Sequence, residues 1–118
     1  MLTDMCTGNI TLCTCGVDLR CGYLRLAAIA QEALNIDVSK GNDWVVFVSK
    51  RRNVAKIIHS DCYGTMLVTR YLHKGTYQKL LSLNTGAPVR TLSRANLISY
   101  LDGLDIEPKI FANLVLHK

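Results

Sequence analysis

The side chains best suited to chemistry in this chain are cations. Nine Lys and Arg residues lie between Trp44 and Ser99, with Asp61 the one acid among them. The flanking stretches are faintly acidic, so the formal net charge of +5 originates in this block. Charge gathered in one stretch creates a local positive field that draws in a polyanion. Lys50, Arg51 and Arg52 are consecutive, and Lys56 and Arg70 fall on the segments beside them. Ammonium and guanidinium groups so placed neutralise phosphates, with an affinity that falls as salt rises. Lys74, next to His73, and Arg20, two residues after Asp18, are further candidates. The same charges could instead form a solvated sheet edge that resists edge-to-edge aggregation. Asp18 and Arg20 could equally be a local structural pair.

Other chemistries are poorly supplied. Phosphodiester cleavage on metal ions needs convergent carboxylates. Asp18 and Asp61 have uses as a helix cap and a turn former, while Asp102, Asp105 and Glu107 cluster near a helix end where solvated acids are common. Cys6, Cys13, Cys15 and Cys21 are separated by six, one and five residues, unlike the paired C-x₂-C knuckles of structural zinc. Small buried thiols explain them better than a metal site. His59, His73 and His117 are dispersed, and no Gly-rich phosphate loop occurs. Tyr63, beside Asp61, could stack on a base, although a buried aromatic is the commoner outcome. The sequence therefore predicts no enzyme, no cofactor and no metal.

The elements that must position the cations follow from periodicity. Ile10 and Leu12 alternate with Thr11 and Cys13, a short strand that puts Cys13 and Cys15 on one face. Asp18 is placed to cap a helix carrying Leu19, Tyr23, Leu26, Ala30 and Ala33. Gly22 inside that helix would mark close packing. Lys40–Asp43 reads as a loop. An antiparallel meander then runs through Trp44–Ser49, a basic tip at Lys50–Asn53, Val54–Ser60, a type I turn at Asp61–Gly64, and Thr65–Leu72. A turn at His73–Gly75 leads to a fourth strand, Thr76–Leu81. Ser93 caps a helix with Leu97, Ile98 and Leu101, and Gly103 stops it. Pro108 opens a last helix over 108–116, with Ile110, Phe111, Leu114 and Val115 in a stripe that completes the core or docks on a second copy.

These elements make an α+β fold: an antiparallel meander sheet of four to five strands, with the helices packed on one face. The 118 residues are predicted to form one domain, and with 49% of them apolar the chain can bury a core without staples. The longest apolar runs are far short of the roughly 20 residues of a membrane span. Five cysteines without a secretory leader indicate a reducing cytoplasm.

The run Gly16-Val17-Asp18-Leu19-Arg20-Cys21-Gly22, followed by Leu26, resembles the opening of the small accessory proteins of insertion sequence 66 elements. These are second-reading-frame products, labelled transposase-B-like. The resemblance continues through Phe47, Arg51, Arg52, Lys56-Ile57, Asp61, Gly64, Arg70, Leu72 and Gly75, then Leu97, Leu101, Gly103 and Asp105, spanning about residues 15–107. Thr69-Arg70-Tyr71 stands where the family has Lys-Arg-Leu, and Tyr77-Gln78-Lys79 where it has an aromatic followed by Trp-Pro, so the chain reads as a divergent member. The resemblance implies a helper encoded beside the transposase, without a settled biochemical activity. Two readings stay open. The protein binds DNA, transposon ends being candidates, through Lys50, Arg51, Arg52, Lys56, Arg70, Lys74 and Arg20. Alternatively it is an assembly factor that touches the transposase or another helper and does not bind DNA directly; a homodimer is open under either reading.

Overall fold

Strand β1 (Ile10–Cys13) and strand β2 (Trp44–Val48) are fully buried, which their near-continuous apolar runs require of strands covered on both faces. The structure is a computed structural model that describes residues 8–82 and 86–108. Between these strands runs helix α1 (Tyr23–Leu34); β2 continues into β3 (Val54–Ser60) and β4 (Thr65–Tyr71), and the chain then forms β5 (Val89–Leu92) and α2 (Arg94–Leu101). The strand order is β4-β3-β2-β1-β5. The β2–β3–β4 part is the expected antiparallel meander.

The sheet is mixed rather than wholly antiparallel. β1 pairs parallel with β2, Leu12 opposite Val46, because α1 carries the chain back across the sheet as a crossover. On its other side β1 pairs antiparallel with β5. The expected strand over Thr76–Leu81 does not form. That segment crosses the face of the sheet, where buried Tyr77 and Leu80 sit three residues apart rather than alternating as strand residues do. One backbone bond, from the Tyr77 amide to the Arg52 carbonyl at 2.6 Å, joins side-chain bonds in place of a ladder there. The Gln78 amide oxygen accepts from the Ile106 and Glu107 amides at 2.8 and 3.3 Å, and its nitrogen donates to the Glu107 carbonyl at 2.7 Å.

The helices do not share a face, as the sequence predicts, but take one each. Alternate strand residues explain why. Leu12, Val46, Val48 and Ile57 pack with Tyr77, Leu97, Tyr100 and Leu101 on the α2 side. Cys13, Val45, Phe47 and Ile58 pack with Leu26, Ala30 and Leu34 on the α1 side. With two buried faces, each layer needs its own cover. α1 turns the expected stripe inward at four-residue spacing, with Ala33 and Tyr23 left outside. It starts later than the sequence predicts. Gly22 is its N-cap, not an interior residue, and a Cβ there would meet nothing within 4 Å. Ser93 does cap α2, its hydroxyl accepting from the Asn96 amide at 3.0 Å, and Gly103 follows the helix end with φ +84°. The expected helix over 108–116 lies outside the described residues.

Leu26 on the α1 side and Leu97 on the α2 side are both fully buried. Each Leu→Ala change is expected to lower unfolding stability by about 2–5 kcal/mol, measured by denaturant titration. A cost below about 1 kcal/mol for either would show that its face is not a packed layer.

Candidate functional site

The Lys50–Asn53 tip is built by Ser49. The Ser49 carbonyl accepts from the Arg52 amide at 2.8 Å, and its hydroxyl accepts from the Asn53 and Val54 amides at 3.3 and 3.2 Å. Arg52 takes the left-handed conformation, φ 57°. Lys50 and Arg51 are thereby left exposed, while Arg52 is half-buried and its Nε is enclosed without a hydrogen-bond partner.

The segment between β1 and α1 is laid against this tip. The Val17 amide donates to the Val48 carbonyl at 3.0 Å, and Gly16 lies so close that a Cβ would fall 2.8 Å from Lys50 Cα. Only glycine fits that approach. Lys56, opposite Phe47 on the α1 side of the sheet, reaches the same segment. Its ammonium donates to the carbonyls of Leu19 at 2.6 Å and Cys21 at 3.3 Å. Its stem lies along apolar surface while its charge holds the entry to α1.

Between this segment and the tip runs an open groove of about 800 Å³, lined in part by Arg20, Lys50, Arg51, Lys56 and Tyr71. Beside it a second depression, of about 640 Å³, shares Arg20 and extends to Arg25 on α1. Arg20 is bound to Asp18 by two hydrogen bonds, at 3.0 and 2.8 Å, so the local-pair reading of these residues holds. The Arg20 guanidinium and backbone amide hold the Asp18 carboxyl well below the usual carboxylate range. The pair remains exposed, with its cation at the groove.

The other sequence candidates are elsewhere. Arg70 lies opposite Ala55, on the α2 side of the sheet, and binds Asp102 at 3.0 Å. Lys74 and His73 are exposed at the turn beyond β4. Arg90, another cation of the block, is paired with Glu107 and donates to the Leu81 carbonyl at 2.9 Å. Asp102 and Glu107 are therefore ion-pair partners rather than merely solvated acids. Tyr63 is not buried: it is 95% exposed at its turn. The turn itself is as expected, with the Asp61 carboxylate accepting from the Tyr63 and Gly64 amides at 2.8 and 3.0 Å, bonds that lower its pKa.

Sequence reasoning missed one residue of the groove, Tyr71, and one of the depression beside it, Arg25. Tyr71, 68% exposed at the end of β4, stands opposite Val54 on the α1 side. Its place in a strand alternation was the available signal. Arg25 lies outside the basic block and enters only through the position of α1. Among the described residues no three His, Cys, Asp or Glu side chains are grouped so as to hold a metal ion; Cys6 lies outside them. No helix among those residues is long and apolar enough to cross a membrane.

The model of the family described as IS66 Orf2 like protein matches residues 8–110. The chain belongs to that family. It is also 33% identical over 97 residues to uncharacterized protein y4hO of Sinorhizobium fredii, covering 82% of this chain and 81% of that protein. No solved structure matches.

Two measurements probe the local electrostatics. Lys56→Met keeps the stem but leaves the Leu19 and Cys21 carbonyls without their donor, so it should cost about 1–3 kcal/mol in denaturant unfolding. An unchanged midpoint would show that the ammonium does not hold this segment. Asp18, Asp37 and Asp61 all have lowered folded-state pKa values. Their stabilisation is present above the unfolded carboxylate value of about 3.9 and is lost as pH falls through the folded values. The melting temperature should therefore decline below about pH 4, and Asp61→Asn should reduce that decline.

Proposed function

We propose, from the chain's place in the IS66 Orf2 like family, that it is a non-catalytic accessory protein of a transposable element and binds DNA through the groove beside the β2–β3 tip. The observation that carries this reading is the meeting of Arg20, Lys50, Arg51 and Lys56 around one groove, with Tyr71 as its exposed aromatic. Lys50 and Arg51 have no ion-pair partner among the described residues and supply the strongest phosphate contacts. Lys56, whose ammonium is shared with two carbonyls, acts mainly by shaping the groove. Arg52, Arg70 and Lys74 lie off this surface and contribute through the wider field. Contacts of this kind fix position on the backbone and do not read sequence. The protein works as one domain in the cytoplasm beside the transposase, which supplies the chemistry.

A second reading is an assembly factor that binds the transposase or another helper and leaves DNA alone. The ion pairs Arg70–Asp102 and Arg90–Glu107 favour it, because they withdraw part of the basic block from phosphate.

One titration separates the two. Lys50→Ala with Arg51→Ala should weaken binding of element-end and unrelated DNA alike and lower the salt slope by about 2, measured by anisotropy at several salt concentrations. Arg90→Ala, remote from the groove, should leave that slope unchanged. Equal slopes for wild type and the double variant, or no DNA binding by the wild type, would leave the assembly reading. Incubation with labelled DNA and Mg²⁺ should give no cleavage or strand transfer by this protein alone, and nicking lost in Asp61→Asn or Asp105→Asn would overturn the non-catalytic part.

A further inference from the structure

Outside the groove, two thiols meet at the end of β1. Cys13 is its last residue, 2% exposed and facing α1. The Thr14 amide still bonds to the Pro88 carbonyl at 2.8 Å, the chain bends at Cys15, and Val17 then rejoins β2 through a parallel bridge to Ser49. That bend folds Cys15, which is exposed, back over its neighbour. The two sulfurs stand 3.5 Å apart, and Cys13 Sγ also lies 3.6 Å from the Cys15 carbonyl oxygen.

We propose that Cys13 and Cys15 are a redox-active dithiol that closes to an intramolecular disulfide by exchange with a low-molecular-weight disulfide. The bond needs an S–S separation of about 2.0 Å, so closure requires the sulfurs to approach by about 1.5 Å, and the bend at Cys15, between the Thr14 and Val17 backbone bonds, absorbs it. Access assigns the roles. Cys15, as its thiolate, attacks one sulfur of the small disulfide; that S–S bond breaks, one thiolate leaves, and Cys15 carries a mixed disulfide. Cys13 then gives up its proton and attacks Cys15 Sγ, expelling the second thiolate. The two cysteines lose two electrons and two protons, and the small disulfide gains both to become two thiols. Burial, reinforced by the hydrogen bond to Cys15, pushes the Cys13 thiol up to about 12. Cys13 is therefore inert to reagents in solution and reacts with the sulfur held against it. Gly16, which follows directly, packs close against the Lys50 backbone.

The test uses the full chain with Cys6→Ser, Cys21→Ser and Cys62→Ser, titrated with mixtures of reduced and oxidised glutathione. Both remaining thiols should disappear together, the mass should fall by two hydrogens, and dithiothreitol should reverse the change. With Cys13→Ala added, the reaction should stop at one glutathione on Cys15. With Cys15→Ser added instead, Cys13 should stay unmodified while the circular dichroism remains native. Peptide mapping of the oxidised wild-type chain gives the same answer without substitutions. Two free thiols across the whole range, or a glutathione adduct that persists on Cys15 beside a free Cys13, would overturn the proposal.

Discussion

The seating of residues 16–21 against the β2–β3 hairpin is the contact on which the rest depends. Three interactions of different kinds hold it: the Val17–Val48 backbone bond, the close approach of Gly16 to Lys50, and the Lys56 ammonium on the Leu19 and Cys21 carbonyls. Those carbonyls immediately precede α1, so the same contact fixes where the helix starts and how it meets the sheet. A lysine chosen for this work brings a charge into a half-buried position. The cost is bearable because two carbonyls replace water around the ammonium, and the groove beside it stays open to solvent.

Charge is distributed by this architecture rather than by the chain order. The basic block runs through the middle of the sequence, but the fold sends its cations to two sides. On the α2 side, acids from the C-terminal part of the chain meet them, Asp102 at Arg70 and Glu107 at Arg90. On the α1 side, Lys50 and Arg51 project from a turn where the nearest carboxylate, Asp18, is already occupied by Arg20. Lys50 and Arg51 are thus left at the groove without an ion-pair partner among the described residues. Partial neutralisation elsewhere sharpens the polarity of the surface instead of removing it.

What could be read from the chain was what depends on neighbours in sequence. The β2–β3–β4 meander, the Asp61 turn, the Ser93 cap and the stop at Gly103 rest on contacts a few residues apart, and all were legible. The partners of β1 were not, because parallel pairing across a helical crossover leaves no local mark. β5 carries no local signal, and Thr76–Leu81 reads as a strand, for a related reason. Tyr77 and Leu80 owe their burial to α2 and to Gln78, whose partners lie 28 and 29 residues away. At the site, Lys50 and Arg51 were legible as a tip. Their meeting with Arg20 and Tyr71, the diversion of Lys56 to carbonyls and the capture of Arg70 by Asp102 are tertiary facts.

The two faces of the sheet also differ in how they end. On the α2 side the edge is tied off: Gln78 clamps residues 106–107, the Tyr100 hydroxyl donates to the Gln78 carbonyl at 3.0 Å, and Tyr77 stacks on Tyr100 with ring centroids 5.3 Å apart. On the α1 side the helix stops covering the sheet before the hairpin tip, and the uncovered strip becomes the groove. Burying that strip would strand Lys50 and Arg51 away from water, an expense the α2 side avoids by pairing its cations with acids. Leaving it open keeps the charges solvated. The placement of the helix therefore sets the exposure of the cations at the tip.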